Sequence, residues 1–395
     1  MRNHHTLAAA ASLAVLLLPS PVFAQNTSAE DSAKSLAAQA DRAKVILDRG
    51  RKPHYTQRFD LSQLPKYEPR EIVSGWIRIH GNNYLVDGSL GEFWEKGFQK
   101  YHPTARISWY LPTSASTFAA LYYKQADLAM GHRPGFYDLL AYQRMLGHDP
   151  VEITAVTGSY DVAGWENSTV ILVNENNPLK GISVEEIDGI FGAAREGGWA
   201  GTNFRPDWAR GADKNIRTWG QMGLTGRWAK QRIAPYGFNL RYNTATDFAD
   251  KYMQGGDKWN EDYRGFAHIV QPDGKRYIQA DQITDSLAAN PYGIAFNRYR
   301  GERKGVRRLP VSWKKGGPYV EHTLENVQNR TYPLFNEFYF YASVAPGTKP
   351  DPVVREFMRY ILSREGQEEV QRDGKYLPLT PEVVKEQLAK LEAWE

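Results

Sequence analysis

Four short polar turns hold the residues best suited to chemistry: His80-Gly81-Asn82-Asn83-Tyr84, the run Pro112 to Thr117 with Ser114 and Ser116, Gly131-His132-Arg133-Pro134, and Arg241-Tyr242-Asn243-Thr244-Ala245-Thr246. Hydroxyls and side-chain amides donate hydrogen bonds, and a guanidinium adds a charged, two-pronged donor. Together they suit the capture of an oxyanion. Taken singly, each Ser or Thr reads as a plain helix N-cap. Four such turns where strands hand over to helices point further, because the carboxyl ends of the strands in an open α/β sheet are where ligands sit and helix N-termini there attract anions.

The same search finds no catalytic pattern. The sequence has no nucleophile elbow, no phosphate-binding Walker loop, no strand-to-helix GxGxxG and no His-Glu-x-x-His. Gly220, Gly223 and Gly226 are spaced GxxGxxG, and Trp219, Leu224 and Trp228 around them read as packing. Outside the first residues the histidines (His54, His80, His102, His132, His148, His268 and His322) lack metal-ligand spacing. No metal and no cofactor is expected.

The turns need a frame. Strand-like runs at 76–79, 105–109, 127–130, 153–156 and 169–173 alternate with amphipathic helices, the pattern of an α/β fold with mainly parallel strands. Ser89-Leu90-Gly91-Glu92 and Ser183-Val184-Glu185-Glu186 read as capping boxes. Asp351-Pro352 reads as an N-cap with proline at the first helical position, followed by the stripe Val354, Phe357, Met358 and Ile361. Phe338 to Tyr341 reads as a buried strand. The segment from Arg298 to Lys315, with eight basic residues against Glu302 alone, reads as a solvated face or as a dock for an acidic partner.

A length of 395 residues points to two domains or one large insertion, and 42% hydrophobic against 24% charged residues excludes a disordered chain. The balance of 49 basic and 45 acidic residues is too even to argue for nucleic acid. The chain opens with Arg2, an apolar run from Leu7 to Leu18, then Pro19 to Ala24, which predicts a secretory signal peptide over 1–24 cleaved after Ala24 and a mature protein in the periplasm. With no Cys there is neither a disulfide nor a thiol nucleophile. Residues 25–71 read as an N-terminal extension lying on the body.

The order of these motifs resembles the phosphate-binding solute receptors of ABC importers, a branch of the type II periplasmic binding proteins. The likeness runs from about Ser74 to Leu379. It rests on Val173-Asn174-Glu175-Asn176-Asn177-Pro178-Leu179, Ile187-Asp188-Gly189-Ile190-Phe191, Asn290-Pro291-Tyr292-Gly293-Ile294-Ala295-Phe296, and the ending Ile361-Leu362-Ser363-Arg364-Glu365-Gly366-Gln367 with Gly374-Lys375-Tyr376-Leu377-Pro378-Leu379. The resemblance implies two α/β lobes joined by two crossing strands and closing on an anion, with lobe 1 over 72–160 plus 291–395 and lobe 2 over 161–290. It carries the anion-binding role to Asn82, Asn83, Tyr84, Ser114, Ser116, Arg241, Thr244 and Thr246. After the third strand the family has an acidic residue that accepts the phosphate's own proton, and this chain has His132 beside Arg133. That exchange adds donors and removes an acceptor, favouring a fully ionised or differently shaped anion.

The expected function is therefore a periplasmic binding protein, acting as a monomer, that captures phosphate or a related oxyanion and delivers it to the membrane subunits of an ABC importer. The other reading is an extracytoplasmic sensor or interaction protein on the same fold with a degenerate site. A phosphate-ester hydrolase has only the anion turns in its favour.

Overall fold

The computed structural model describes residues 53–393, so the expected signal peptide lies outside the described residues. The chain first lays down β1 (Gly75–Gly81), β2 (Ala105–Tyr110), β3 (Leu128–Gly131) and β4 (Val151–Thr157). It then builds β5 (Thr169–Asn174), β6 (Ala234–Phe238), β7 (Arg264–Phe266), β8 (Gly293–Arg298) and β9 (Val306–Arg308), and returns with β10 (Glu337–Ala342). Two five-stranded sheets result, ordered β2-β1-β3-β10-β4 and β7-β6-β8-β5-β9. Each is the spine of one lobe.

All five strand-like runs form strands at the expected places. Their directions are more mixed than expected. In the first sheet β1 runs parallel to β2 and β3, while β10 lies antiparallel to β3 and β4. In the second, β6 is parallel to β7 and β8, and β8 is antiparallel to β5. An apolar run buried on both faces reads the same in either direction, so direction is set by the chain's path between lobes.

That path also corrects the lobe boundary. The strand at 293–298 pairs with β5 and β6, and Ile294, Phe296, Tyr299, Val306, Leu309 and Tyr332 are buried in the second lobe's core. Residues 291–334 therefore pack with lobe 2 and not, as expected, with lobe 1. The run Gly293–Phe296 suits a crossing strand and a central strand equally; only its hydrogen-bonding partners distinguish them.

Two cores stabilise the lobes. Ile77, Ile79, Trp94, Phe98, Phe340 and Phe357 are at most 1% exposed in the first. Ile171, Phe191, Trp219 and Phe296 are fully buried in the second. Burying each such side chain contributes about 1.5–3 kcal/mol before the entropy of ordering it is counted. The chain crosses between lobes at 158–168 and at 335–336, and the crossings are tied together by Gly158 N–H to Asn336 O at 2.7 Å.

The helices cover these sheets: α1 (Tyr84–Asp87), α2 (Leu90–Gln99), α3 (Thr117–Tyr122), α4 (Phe136–Leu146), α5 (Val184–Phe191), α6 (Asn243–Tyr252), α7 (Gln279–Ala289), α8 (Pro352–Ile361), α9 (Arg364–Asp373) and α10 (Pro381–Glu392). Ser183 and Glu186 close their capping box, and Asp351 caps α8 ahead of Pro352. The box expected at Ser89 does not form. Because α1 runs almost directly into α2, Ser89 already has helical dihedrals, and its N–H goes to Asp373 Oδ1 at 2.9 Å.

The described part of the N-terminal extension lies across both lobes. Its His54 and Tyr55 N–H groups bond Gly374 O at 2.9 and 2.7 Å on the first lobe, while Gln57 reaches Glu325 at 3.2 Å on the second lobe's side. Tyr55 Oη sits at the crossing itself, accepting the N–H groups of Tyr160 and Asp161 at 3.0 and 3.1 Å and donating to Asp161 Oδ1 at 2.9 Å.

Candidate functional site

The ends of β1 and β3 lie side by side, and this brings the first three turns together. Asn82 N–H donates to Met130 O at 3.2 Å. Immediately before it Gly81 has φ of +147°, and a Cβ there would stand 2.0 Å from Met130 O, so only glycine lets the first turn run so close to β3. Thr117 Oγ1 donates to Ser114 O at 2.7 Å, and a Cβ on Gly131 would stand 3.9 Å from Ser114 Cβ. The serine turn therefore abuts the turn that carries His132 and Arg133.

The fourth turn arrives from the other lobe. Asn243 opens α6, and its Nδ2 lies 2.7 Å from His132 Nε2. Within the first turn of α6 the Ala245 and Thr246 N–H groups go to Tyr242 O at 2.9 and 3.4 Å, which leaves those of Asn243 and Thr244 without a helical acceptor. Thr244 and Thr246 sit on that first turn; Thr246 Oγ1 donates back to Asn243 O at 3.0 Å.

Each expected site residue has its own setting. Asn82 is buried, and its Oδ1 accepts Tyr84 N–H at 3.0 Å, which turns its Nδ2 into the group left to donate. Asn83 donates through Nδ2 to Asp87, so its amide is engaged within α1. The Tyr84 ring does not face the junction as a donor would: it packs on Trp165 with centroids 4.9 Å apart, against the first crossing. Ser116 Oγ donates to Thr113 O at 2.9 Å, a local turn bond. Ser114 is half-buried, and its hydroxyl has no hydrogen bond among the described residues.

The two arginines differ. Arg133 is held by Glu152 at 3.4 Å and lies over the Tyr339 ring at 5.3 Å. The Arg241 side chain is exposed and has neither hydrogen bond nor ion pair among the described residues; only its backbone N–H is fixed, to Asn239 Oδ1 at 3.0 Å. Arg241 is the unengaged cation of the pair among the described residues, and Arg133 the positioned one.

Behind the junction lies a charged network that the turns did not announce. Asp247 on α6 meets Lys251 one turn later at 3.0 Å and Arg298 of β8 at 3.6 Å, and Arg298 also lies 3.8 Å from Glu166. Lys251 donates to Asn336 Oδ1 at 3.0 Å, joining α6 to the second crossing. Burial pushes the Asp247 carboxyl up, but Lys251 and Arg298 outweigh it and hold the group below the ordinary carboxylate value. The Asp247–Lys251 spacing of four was legible as a helical ion pair. Its role at the cleft was not, because Arg298 and Asn336 are far away in sequence.

Arg298 was expected to begin a solvated or partner-docking basic face. Instead much of that segment serves its own lobe: Arg303 pairs with Asp281 at 2.7 Å, Arg307 donates to the carbonyls of Asn177 and Leu179, and Arg308 donates to Tyr160 Oη at 3.0 Å. A run of like charges says nothing of acids and carbonyls contributed by other elements.

A Ser–His contact bears on hydrolysis. Ser168 Oγ lies 2.6 Å from His322 Nε2, both residues buried. At the other ring nitrogen Arg308 donates at 2.8 Å, so Nδ1 is the acceptor and Nε2 carries the proton. Ser168 in turn donates to Tyr160 O at 3.0 Å. Burial, reinforced by the Arg308 charge, pushes the imidazole pKa well below its ordinary value. His322 is therefore a donor to the serine where a hydrolase needs a base, and the pair is structural.

Residues 87–365 fit the model of the PBP superfamily domain, most of the chain. The chain belongs to the PBP superfamily. Over 329 residues this PBP-superfamily chain is 27% identical to the phosphate-binding protein PstS of Pseudomonas aeruginosa, covering 83% of this chain and 90% of that protein. Similar solved structures include an ABC-type phosphate transport receptor from Vibrio cholerae, with a TM-score of 0.46, 15% identity, 76% of this chain and 99% of that one. PstS from Borrelia burgdorferi aligns with a TM-score of 0.46 at 12% identity, over 78% of this chain and 100% of that one. Among the described residues, no helix is long and apolar enough to cross a membrane.

Proposed function

We propose that this protein is a solute receptor that captures phosphate or a related oxyanion between its lobes and passes it to the membrane subunits of an ABC importer. The observation that carries the reading is the convergence of four polar turns from two lobes, closed by Asn243 and His132 at 2.7 Å. The phosphate-binding name of the Pseudomonas aeruginosa relative agrees with it. In this reading Asn82, Ser114, Thr244 and Thr246 donate to the anion, Arg241 folds over it as a charged contact, and Arg133 with His132 forms the wall where the resembling receptors carry an acid. Lobe closure is a hinge motion about the paired crossings. The receptor is exported to the periplasm, acts as a monomer and performs no chemistry on its cargo.

Calorimetry of the mature protein against inorganic phosphate, phosphonates, sulfate and organic phosphates tests the proposal. Saturable binding of one of them is the expected result, and no heat from any would overturn it.

A second reading, an interaction protein with a degenerate cleft, is favoured by one observation: the Asn243 side-chain amide is engaged by His132 across the cleft. It requires that the cleft stay shut. Solution scattering that is unchanged by every anion in the panel would support it, and compaction on adding one would exclude it.

A further inference from the structure

Beside the junction the lobes enclose a cavity of about 420 Å³, entered between α4 of the first lobe and α6 of the second. It holds far more than a five-atom oxyanion and falls within the size range of sites for organic ligands. Thr246, on the first turn of α6, lines it, and Pro134, directly after His132 and Arg133, forms part of its wall. The cavity is thus continuous with the turns assigned to the anion.

Its chemistry differs from theirs. Phe136, Leu139, Trp199 and Leu240 supply an apolar and aromatic wall, and the Phe136 and Trp199 rings meet edge to face across the lobes with centroids 5.0 Å apart. No Lys or Arg lines it; its charged residues are Asp250 and Asp257. Neither carboxylate has a hydrogen bond or ion pair among the described residues, although Lys251 is the immediate chain neighbour of Asp250. Aromatic faces beside unpaired carboxylates attract organic cations. A second anionic group would meet two carboxylates and no cation here.

The spacing fixes how the two halves connect. Asp250 follows Thr246 by four residues, one helical turn, so the carboxylate lies about 6 Å further along the same face of α6. We propose that the cargo is a zwitterionic phosphate or phosphonate ester, its oxyanion held at the turns and an ammonium group two or three atoms away seated between the aromatic wall and Asp250 with Asp257. This rests on the reading of the turns as an oxyanion site. Because α4 and α6 belong to different lobes, the organic group also bridges them, which makes the cavity part of closure and of selection.

The test is calorimetry on the full mature chain with phosphocholine, phosphoethanolamine, glycerol phosphate and inorganic phosphate as probes, repeated on Asp250→Asn/Asp257→Asn and, separately, on Leu240→Ala, with circular dichroism as the check on folding. The expected result is that an ammonium-bearing ester binds at least tenfold more tightly than glycerol phosphate or inorganic phosphate. The double substitution should reduce that preference by about tenfold, and Leu240→Ala should weaken it without any change of charge. If inorganic phosphate or glycerol phosphate binds as tightly as the ammonium esters, the cavity selects nothing and the inference falls while the oxyanion reading stands. Lack of binding by all four probes overturns both.

Discussion

His132 and Asn243, 111 residues apart in the chain, meet across the cleft at 2.7 Å, the amide Nδ2 of one facing the ring Nε2 of the other. The Asn243 amide is the donor of this pair, and His132 Nε2 accepts. An oxyanion bound as proposed would compete for the same Asn243 amide. The pair therefore latches α6 of the second lobe to the end of β3 in the first.

Removing the latch should loosen closure without unfolding either lobe. Asn243→Ala deletes one hydrogen bond worth about 1 kcal/mol, roughly a fivefold change in the ratio of closed to open molecules. Small-angle scattering of the ligand-free variant should show a larger radius of gyration than the parent. An unchanged radius would mean that Lys251–Asn336 and the aromatic contacts hold the lobes by themselves.

The two arginines should not be equivalent. Arg241 is exposed and unpaired among the described residues, whereas Arg133 is engaged with Glu152 and Tyr339. Arg241→Ala is expected to weaken oxyanion binding by more than about tenfold, the scale of a lost charged hydrogen bond. Should affinity survive in Arg241→Ala and collapse in Arg133→Ala, the charged contact belongs to Arg133.

Tyr55 tests whether the extension matters to the hinge. Its hydroxyl accepts two backbone N–H groups of the first crossing and donates to Asp161, while Ser159 Oγ lies 2.8 Å away. Tyr55→Phe keeps the ring and strands those N–H groups, so the chain should lose about 1–3 kcal/mol. A fall in Tm of a few degrees is expected for a chain of this size. No change in Tm would mean that water replaces the hydroxyl at no cost.

Acid should act on the cleft in two opposing ways. Lys251 and Arg298 overcome the effect of burial to hold Asp247 below its ordinary value of 3.8, so its contribution to stability is present above about pH 4 and lost as the pH falls further. Burial first, then the Asp247 charge, push Asp250 up to about 6 against the pull of Lys251 and Arg133. Its contribution is full below about pH 4 and is lost as the pH rises to about 6. Asp250→Asn should therefore melt at a higher temperature than the parent at pH 7, with the gap closing toward pH 4. A gap independent of pH would assign the effect to packing and not to charge.

The local elements were legible because their signals are local. Strand runs such as 169–173, the capping box at Ser183 and the Asp351-Pro352 start lie within a few residues of the structure they form. Ser89 is the instructive miss. The same four-residue pattern as at Ser183 gave the helix but not the box, since the preceding turn had already set the serine's backbone and Asp373, remote in sequence, took its N–H.

The order of amino acids was enough to show that the chain alternates strands and helices, and that four polar turns follow or precede them in an order resembling a known receptor family. Residue types and spacings of one to four positions carry that information. Tertiary structure alone decided that strand 293–298 belongs to the second lobe, that His132 meets Asn243, that Asp247 sits between Lys251 and Arg298, and that an aromatic cavity with two free carboxylates opens beside the turns. Each of these depends on groups brought together from distant segments by strand pairing and lobe closure, and pairings between distant segments leave no periodic trace in a single chain.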